Sequence, residues 1–328
     1  MISRLRHGFR LRRAYGGQVS AQGRAGIFIL VLIAASALAP ALAPYGSGRA
    51  FRDFLHAPPM RPHVEGGSVV AHPLVLANRM EQRFEPDRSR TVPLPWFGAS
   101  DVPVFLLGAD DFGRDVLSRL LYGARTSIGL ALVATFGAVL IGALAGAWAG
   151  YRGGWVDESV MRVADFVLVL PVIYVVLVLR AVLPLVLPPL TVFLLVSWIF
   201  ILVGWPFVAK GVRAIVAVER QREYVLAAHS LGAGHGRIIV RHLLPACIGH
   251  LIVQATLLLP AFILAEATLS FVGLGFSDPV ASWGTMLASA GNYNAIARFP
   301  WTLAPAIAIF AIVLATNLIA SPQDQESH

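Results

Sequence analysis

The sequence Arg222-Glu-Tyr-Val-Leu-Ala-Ala-His-Ser-Leu-Gly-Ala-Gly-His-Gly-Arg-Ile-Ile-Val-Arg-His-Leu-Leu-Pro245 is a polar, basic insert between long apolar runs. Its pattern predicts two short helices separated at Gly232, because glycine adopts the positive φ that ends a helix at little cost. The first helix begins at Glu223 in this prediction, and helical spacing resumes at Arg237. Pro245 is then placed to open the next element.

The composition is that of an integral membrane protein. Hydrophobic residues make up 57% of the 328 residues and charged residues 13%, and the mean hydropathy is +0.70. Runs of roughly 20 apolar residues recur, each long enough to cross a hydrocarbon core about 30 Å thick. The sequence therefore predicts an all-α membrane fold with about six transmembrane helices, at residues 26–44, 127–151, 163–183, 190–209, 246–269 and 301–319.

Basic residues near the span ends predict the orientation of the chain. Residues 1–25 carry six arginines and no acidic residue, and the insert after the fourth span is also basic. Both segments are expected in the cytoplasm, which with six spans puts both termini there. The net charge of +8 is then mostly topological, so it gives a nucleic-acid partner no support. A cleaved signal peptide is the alternative for residues 26–44, and we favour an uncleaved anchor.

The remaining segments complete the predicted domain organisation. Residues 45–124 form an external segment, residues 125–320 a membrane core that includes the cytoplasmic segment 219–245, and residues 321–328 a cytoplasmic tail. Prolines spread through the external segment exclude long helices there. Short apolar patches at 69–70, 74–76 and 94–97 indicate a small folded cap with strand-like pieces.

A second distinctive stretch, Leu107-Gly-Ala-Asp-Asp-Phe-Gly-Arg-Asp-Val-Leu-Ser-Arg-Leu-Leu-Tyr-Gly-Ala-Arg-Thr-Ser127, precedes the second span. It predicts a turn at Gly108 and a short amphipathic helix over residues 111–121, lying at the membrane interface. Its carboxylates could suggest a metal or acid–base site, but pairing with its arginines is the interpretation we favour. The residues concerned are Asp110, Asp111, Asp115, Arg114 and Arg119.

The predicted spans carry packing signals and one ionisable group. Small residues recur every fourth position at Ala138, Gly142, Gly146 and Gly150, which lets another helix approach closely in lipid. Pro171 should bend the third span.

Glu266 lies inside the fifth span, where insertion of a charge costs about 2.5–3.5 kcal/mol at mid-depth. One interpretation places this side chain on an external vestibule or gate of a translocation path, which Pro171 would also border. The other makes it a structural acid, hydrogen-bonded between helices near Thr268 or Ser270. The sequence leaves both interpretations open.

Motifs for catalysis are missing from the sequence. The one lysine, Lys210, is followed by Gly211, so no Gly-Lys-Ser/Thr phosphate-binding loop exists. His-Glu-x-x-His, paired-cysteine and Gly-x-Ser-x-Gly patterns are absent too. The histidines at 229, 235 and 242 have no acidic support for a metal site. We therefore expect no catalytic residue, no metal and no cofactor.

Several stretches resemble binding-protein-dependent ABC importer permeases of the dipeptide, oligopeptide and nickel subgroup. The insert quoted first is similar to their cytoplasmic coupling segment, which reads E-A-A, three residues, G, then I and L-P. The stretch from Leu107 is similar to L-G-T-D-x-x-G-R-D-x-x-S-R-x-x-Y-G-x-R. Residues 263–275 resemble I-L-x-E-x-x-L-S-F-L-G-L-G, and residues 279–284 resemble P-x-x-S-W-G. Leu226 departs from the coupling pattern, which often has Glu, and the C-terminal tail departs from the usual G-D-x-L-R-D-x-L-D-P.

The resemblance implies a type I ABC importer permease of the bacterial inner membrane. Its partners would be a second permease subunit, two ATP-binding subunits that hydrolyse ATP, an external solute-binding protein and the lipid bilayer. Three sets of residues take roles by resemblance: Glu223, Tyr224, Ala227, Ala228, Gly232, Arg237, His242 and Pro245 in coupling; Glu266 and Pro171 at the path or gate; Asp111, Gly113, Arg114, Asp115 and Arg119 in an external interfacial motif.

Two alternatives remain at this point. One is an ion-coupled secondary transporter in which Glu266 carries a proton. The other is a membrane-embedded enzyme or assembly factor that uses the external segment.

Overall fold

The computed structural model describes residues 21–78, 82–96, 102–182, 187–291 and 293–320. The predicted segment before residue 21 and the tail 321–328 lie outside these ranges. The helices are α1 (Ala21–Ala37), α2 (Ala39–Leu42), α3 (Val116–Arg152), α4 (Gly154–Val169), α5 (Val172–Val182), α6 (Pro189–Glu219), α7 (Glu223–Ser230), α8 (His235–Ile238), α9 (Leu244–Ala246), α10 (Ile248–Phe271), α11 (Trp283–Ser289), α12 (Tyr293–Arg298) and α13 (Ala304–Ala320). A π-helical turn, Ile239–Leu243, joins α8 to α9, and a 3-10 turn, Pro300–Leu303, precedes α13.

The predicted all-α membrane fold is confirmed. Among the described residues, α3, α6, α10 and the segment Pro300–Ile319 are long and apolar enough to span a bilayer, and Gly23–Ala37 is a shorter apolar helix. The third predicted span is two helices, α4 and α5, because the chain turns extended at Leu170, before Pro171. The bend predicted at Pro171 is therefore a break.

The core of the bundle is the contact between α3 and α6, where the predicted small-residue face lies. A Cβ atom added to Gly142 would lie 2.6 Å from the Trp205 carbonyl oxygen, and one on Gly146 would lie 2.3 Å from that of Ala209. The two backbones are thus too close for any larger residue. The prediction of a smooth packing face is confirmed, and its partner is α6.

Ion pairs join α4 to α6 at the end of the bundle near the basic insert. Asp157 accepts a hydrogen bond from Arg213 Nε at 2.8 Å, and Asp165 pairs with Lys210. Glu158 pairs with Arg162 within α4. The acidic residues of α4 therefore pair with basic residues of α6 and of α4 itself.

The segment predicted to be external, residues 45–124, carries two small antiparallel sheets. Strands β1 (His63–Glu65), β2 (Ser68–Ala71) and β5 (Val92–Pro93) form one sheet in the order β1-β2-β5, with Val70 opposite Pro93. Strands β3 (Leu74–Asn78) and β4 (Arg83–Pro86) form the other. The predicted strands at 69–70 and 74–76 are confirmed. The patch at 94–97 is not a strand over its described part, since β5 ends at Pro93.

The predicted interfacial helix over residues 111–121 is wrong. Residues 110–114 form a turn, and the helix that follows is the first part of α3, which continues without interruption to Arg152. Gly113 has a φ of +74°, so helical geometry cannot begin before it. Asp115 then caps α3 by accepting the backbone N–H of Ser118 at 2.8 Å.

Candidate functional site

The insert that opened the sequence analysis forms a bent segment, residues 222–245, which we call the elbow. Helix α7 ends at Ser230, Leu231 is its C-cap, and Gly232 follows with a φ of +79°. The Gly232 N–H donates to the His229 carbonyl at 3.0 Å, and the Ala233 N–H donates to that of Ala228 at 3.1 Å. This pair of bonds is the Schellman arrangement that glycine permits. The helix–glycine–helix prediction is confirmed.

The second half of the elbow is less regular than the sequence indicates. Helix α8 starts at His235, two residues before the predicted Arg237. It then widens into a π-helical turn, in which the Leu244 N–H donates to the Ile239 carbonyl. Pro245 has no N–H to continue the α-helical ladder, which accounts for a local change of hydrogen bonding. Pro245 lies in the first turn of α9 as predicted, but the next long helix, α10, starts only after Cys247.

The elbow has a buried face and an exposed face. Val225, Ile238 and Leu243 are at most 3% exposed and hold it to the helix bundle. On the other face Leu226 is 55% and Leu231 88% exposed. Of the predicted coupling residues, those that are exposed are Glu223, Tyr224, Ala227, Gly232, Arg237 and Pro245, and those that are half-buried are Ala228 and His242.

Side chains connect the elbow to the ends of the long helices. The Tyr151 hydroxyl and His235 Nδ1 are hydrogen-bonded at 2.7 Å. Arg220 donates to the Tyr151 carbonyl at 2.9 Å. Tyr151 therefore contacts the chain both before and after α7, the first helix of the elbow. The Tyr224 hydroxyl donates to Glu219 Oε2 at 2.8 Å. A displacement of the elbow would therefore act on α3 and α6 directly.

Arg114 and Arg119 of the predicted interfacial motif form an ion cluster with Asp110 and Asp278 at the start of α3. Arg114 Nε donates to Asp110 Oδ2 at 2.7 Å, and Arg119 Nε lies 3.5 Å from the same oxygen. Asp278 Oδ1 accepts from both guanidinium groups, at 2.9 Å from Arg114 and 3.2 Å from Arg119. Asp111 reaches Arg114 only at 4.0 Å. The preferred interpretation, pairing of the acids with the arginines, holds for Asp110 and Asp111.

Asp115 is different, because no guanidinium of the described residues pairs with it. Its carboxylate accepts the backbone N–H and the hydroxyl of Ser118, at 2.8 and 2.6 Å. The Tyr45 N–H donates to that hydroxyl in turn at 3.0 Å. Burial raises the pKa of the Asp115 carboxyl to about 6, against the opposing effect of the Ser118 hydrogen bonds.

Gly113 lies where the external segment packs on this turn. A Cβ at this position would lie 2.2 Å from the Phe51 carbonyl oxygen. The Phe51 N–H donates to the Gly113 carbonyl at 3.0 Å. The missing side chain of Gly113 therefore allows these two backbone segments to lie in close contact.

Glu266 is 1% exposed and joins three parts of the chain. It accepts the Ser127 hydroxyl of α3 at 2.6 Å and the Ser270 hydroxyl of its own helix at 2.8 Å. Ser127 accepts the Trp283 N–H at 3.1 Å, which ties the loop before α11 into the same network. Thr268 bonds its own helix, at the Leu264 carbonyl, and not Glu266. The geometry matches the hydrogen-bonded structural acid.

Asp278 and Ser127 are the residues that the sequence interpretation missed. Asp278 is the only acidic residue between Glu266 and Asp324, which was a usable signal that it pairs with a distant arginine. No pattern in the sequence identified Ser127 as the partner of Glu266. Among the residues that the structure describes, no group of three His, Cys, Asp or Glu side chains is arranged to hold a metal ion.

Comparison with known proteins gives one family. The family model described as binding-protein-dependent transport system inner membrane component matches residues 138–323. The chain is 34% identical over 295 residues to the di/tripeptide transport system permease protein DppC of Pseudomonas aeruginosa, covering 89% of this chain and 82% of the relative. It is 37% identical over 258 residues to the dipeptide transport system permease protein DppC of Bacillus subtilis, covering 78% and 73%. A putative peptide permease protein of Brucella ovis is 35% identical over 255 residues, covering 77% and 82%.

Proposed function

The chain belongs to the family of binding-protein-dependent transport system inner membrane components, and from this membership we propose that it is the permease subunit of an ATP-driven ABC importer that takes up peptides. The observation that carries the proposal is the 34% identity to a di/tripeptide permease over 89% of the chain. The protein is a multi-pass protein of the inner membrane and not an enzyme. ATP hydrolysis belongs to two partner subunits in this proposal.

The elbow is the proposed docking surface for the ATP-binding subunit. Its exposed face carries large apolar side chains, of which Leu231 is 88% exposed. Exposed apolar side chains in one patch are typical of a surface that binds a partner. Ala227 beside it gives a low-profile surface, and Glu223 lies in the first turn of α7, where a carboxylate stabilises the helix dipole. Leu226 is 55% exposed in place of the usual Glu, so we expect the partner groove to be apolar at that point.

Movement of the elbow would open the translocation path first to one side of the membrane and then to the other. The buried face of the elbow and the Tyr151–His235 hydrogen bond connect it to α3, and α3 packs backbone to backbone on α6. We expect α3 and α6 to move as one body, since close-packed contacts resist sliding. Pro171 interrupts the helix beside them and is the proposed flank of the path.

Glu266 takes a structural role in this proposal instead of a proton-carrying one. Both of its oxygens accept serine hydroxyl groups, and the side chain is 1% exposed. The peptide importer is thereby favoured over the ion-coupled transporter, in agreement with the family.

The partners and orientation of the chain follow the same proposal. A second permease subunit, two ATP-binding subunits and an external solute-binding protein complete the importer. The basic elbow and the arginine-rich start of the chain are on the cytoplasmic side, because basic flanks remain there.

A test of the proposal uses the assembled importer in liposomes. We expect peptide uptake that requires ATP and survives a protonophore. The Gly232→Trp variant should assemble with its partners but lose peptide-stimulated ATP hydrolysis, because a bulky residue at a φ of +79° reshapes the elbow. Uptake that collapses with the protonophore while ATP persists would contradict the proposal.

Gly67→Trp is the matched control for that variant. Gly67 also has a positive φ, +82°, and it also has open space around it. It lies in the hairpin between β1 and β2, far along the chain from the elbow. This variant should keep peptide-stimulated ATP hydrolysis near the original rate.

A further inference from the structure

A cavity beside the start of α3 contains an arginine that has no counterion among the residues that the structure describes. Its volume is about 520 Å³, in the range of small-molecule sites. The walls are mostly apolar, with Leu190 and Phe193 from α6 and Phe276 from the loop before α11. Arg125 is the charged side chain on the lining, and Tyr122, one turn earlier on α3, lies beside it.

Arg125 differs from the other arginines of this region. Arg114 and Arg119 are buried and share the carboxylates of Asp110 and Asp278. Asp278 lies next to the cavity wall at Pro279, but Oδ1 already accepts from both guanidinium groups. Within the described ranges, Arg125 is exposed and no carboxylate lies within ion-pair distance of it.

We propose that Arg125 binds the C-terminal carboxylate of the transported peptide in this cavity; the inference rests on the peptide-importer function proposed above. A planar guanidinium binds a carboxylate through two parallel hydrogen bonds. Peptides differ in every side chain but share this terminal group. A permease that accepts varied peptides from a receptor therefore gains most from recognising the carboxylate.

The test compares trialanine with trialanine amide in liposomes that contain the complete importer. Each peptide is supplied at a concentration that saturates the solute-binding protein, so that any remaining difference arises in the membrane subunits. We expect the unmodified importer to take up the free acid about tenfold faster, the effect of one charged hydrogen-bonded contact. In Arg125→Gln the ratio of the two uptake rates should fall to near one.

Three further measurements separate the possible outcomes. Arg125→Lys keeps the positive charge but loses the paired donors of the planar guanidinium, so we expect an intermediate acid-to-amide uptake ratio. This variant also replaces Arg125→Gln in the test if Arg125→Gln fails to assemble. Arg52→Gln, at an exposed arginine of the external segment, should keep the original ratio. Vesicles of phosphatidylcholine alone are compared with vesicles containing phosphatidylglycerol, because a lipid phosphate would offer Arg125 the same chemistry.

Some results would overturn the inference. These are an unchanged acid-to-amide ratio in Arg125→Gln, an equal loss for both peptides, or an effect of the substitution that occurs only with phosphatidylglycerol present. Absence of any ATP-dependent uptake by the unmodified importer would instead contradict the proposed function itself.

Discussion

At the scale of single residues, burial decides what each carboxylate near the start of α3 does. Asp110 is 8% exposed and receives two guanidinium groups, which offset the cost of removing its charge from water. Asp115 is 2% exposed and accepts the hydroxyl and the backbone N–H of Ser118. One of its oxygens, Oδ1, is buried without a hydrogen-bond partner. The same residue type is thus an ion-pair partner at one position and a strained helix cap at the other.

The Asp115 cap predicts that the free energy of unfolding depends on pH, and that a single substitution removes this dependence. An unfolded aspartate has a pKa of about 3.9, and burial raises the folded value to about 6. The folded state therefore binds the proton more tightly, and the unfolding free energy should rise as the pH falls from about 6 to about 4. The gain specific to Asp115 is about 3 kcal/mol over that window. It should be missing in Asp115→Asn, which keeps a capping oxygen but does not titrate.

The measurement is the difference in thermal unfolding midpoint between the unmodified protein and Asp115→Asn in detergent, followed from pH 4 to pH 8. Taking the difference cancels other titrating groups, such as His56, whose pKa burial lowers. Asp53→Asn, at an exposed aspartate, serves as control and should follow the unmodified protein throughout. Parallel pH profiles for Asp115→Asn and the unmodified protein would show that Asp115 is not the titrating group.

At the scale of elements, the contact of α3 with α6 is set by backbone distance and not by side-chain shape. The small residues of α3 face carbonyl groups of α6, so even a methyl group has no space there. In lipid, where no hydrophobic force drives helices together, such packing supplies much of the association. The contact also continues toward the elbow, since Gly150 faces the Arg213 carbonyl.

Gly146→Ala should disrupt this contact although alanine favours helices. The added Cβ would lie 2.3 Å from the Ala209 carbonyl oxygen and 2.9 Å from its Cα atom. Overpacking of this kind costs about 1–3 kcal/mol, which we expect as a lower thermal unfolding midpoint. Gly129→Ala is the matched control on the same helix, since nothing lies within 4 Å of its added Cβ. It should be neutral or stabilising by up to about 1 kcal/mol, and equal midpoints for the two variants would contradict the packing argument.

At the scale of the whole molecule, local signals were predictable and distant pairings were not. The apolar runs predicted the long helices, and Gly232 predicted the bend of the elbow, because both depend on neighbouring residues. The interfacial helix over residues 111–121 was predicted wrongly, since an amphipathic pattern does not reveal where a helix stops. The pairs Ser127–Glu266 and Arg119–Asp278 are separated by 139 and 159 residues, and no local pattern connects them.

Asp278 joins the loop after α10 to the start of α3, so its removal should affect the molecule as a whole. Arg114 and Arg119 come from the start of α3, and their side chains are 7% and 1% exposed, whereas Asp278 belongs to the loop after α10 and is 42% exposed. In Asp278→Asn the two buried guanidinium groups would keep Asp110 as their shared carboxylate, with Asp111 4.0 Å from Arg114. Breaking a fully buried pair costs about 3–5 kcal/mol and an exposed one under about 1 kcal/mol. We therefore expect the loss of this half-exposed carboxylate to lower the free energy of unfolding by about 2 kcal/mol.

The measurement is the thermal unfolding midpoint in detergent, with Glu85→Gln as control. The side chains of the Glu85–Arg83 pair are 60% and 66% exposed, so this pair should contribute almost nothing. If both variants unfold at the original temperature, Asp278 does not hold the loop after α10 to α3.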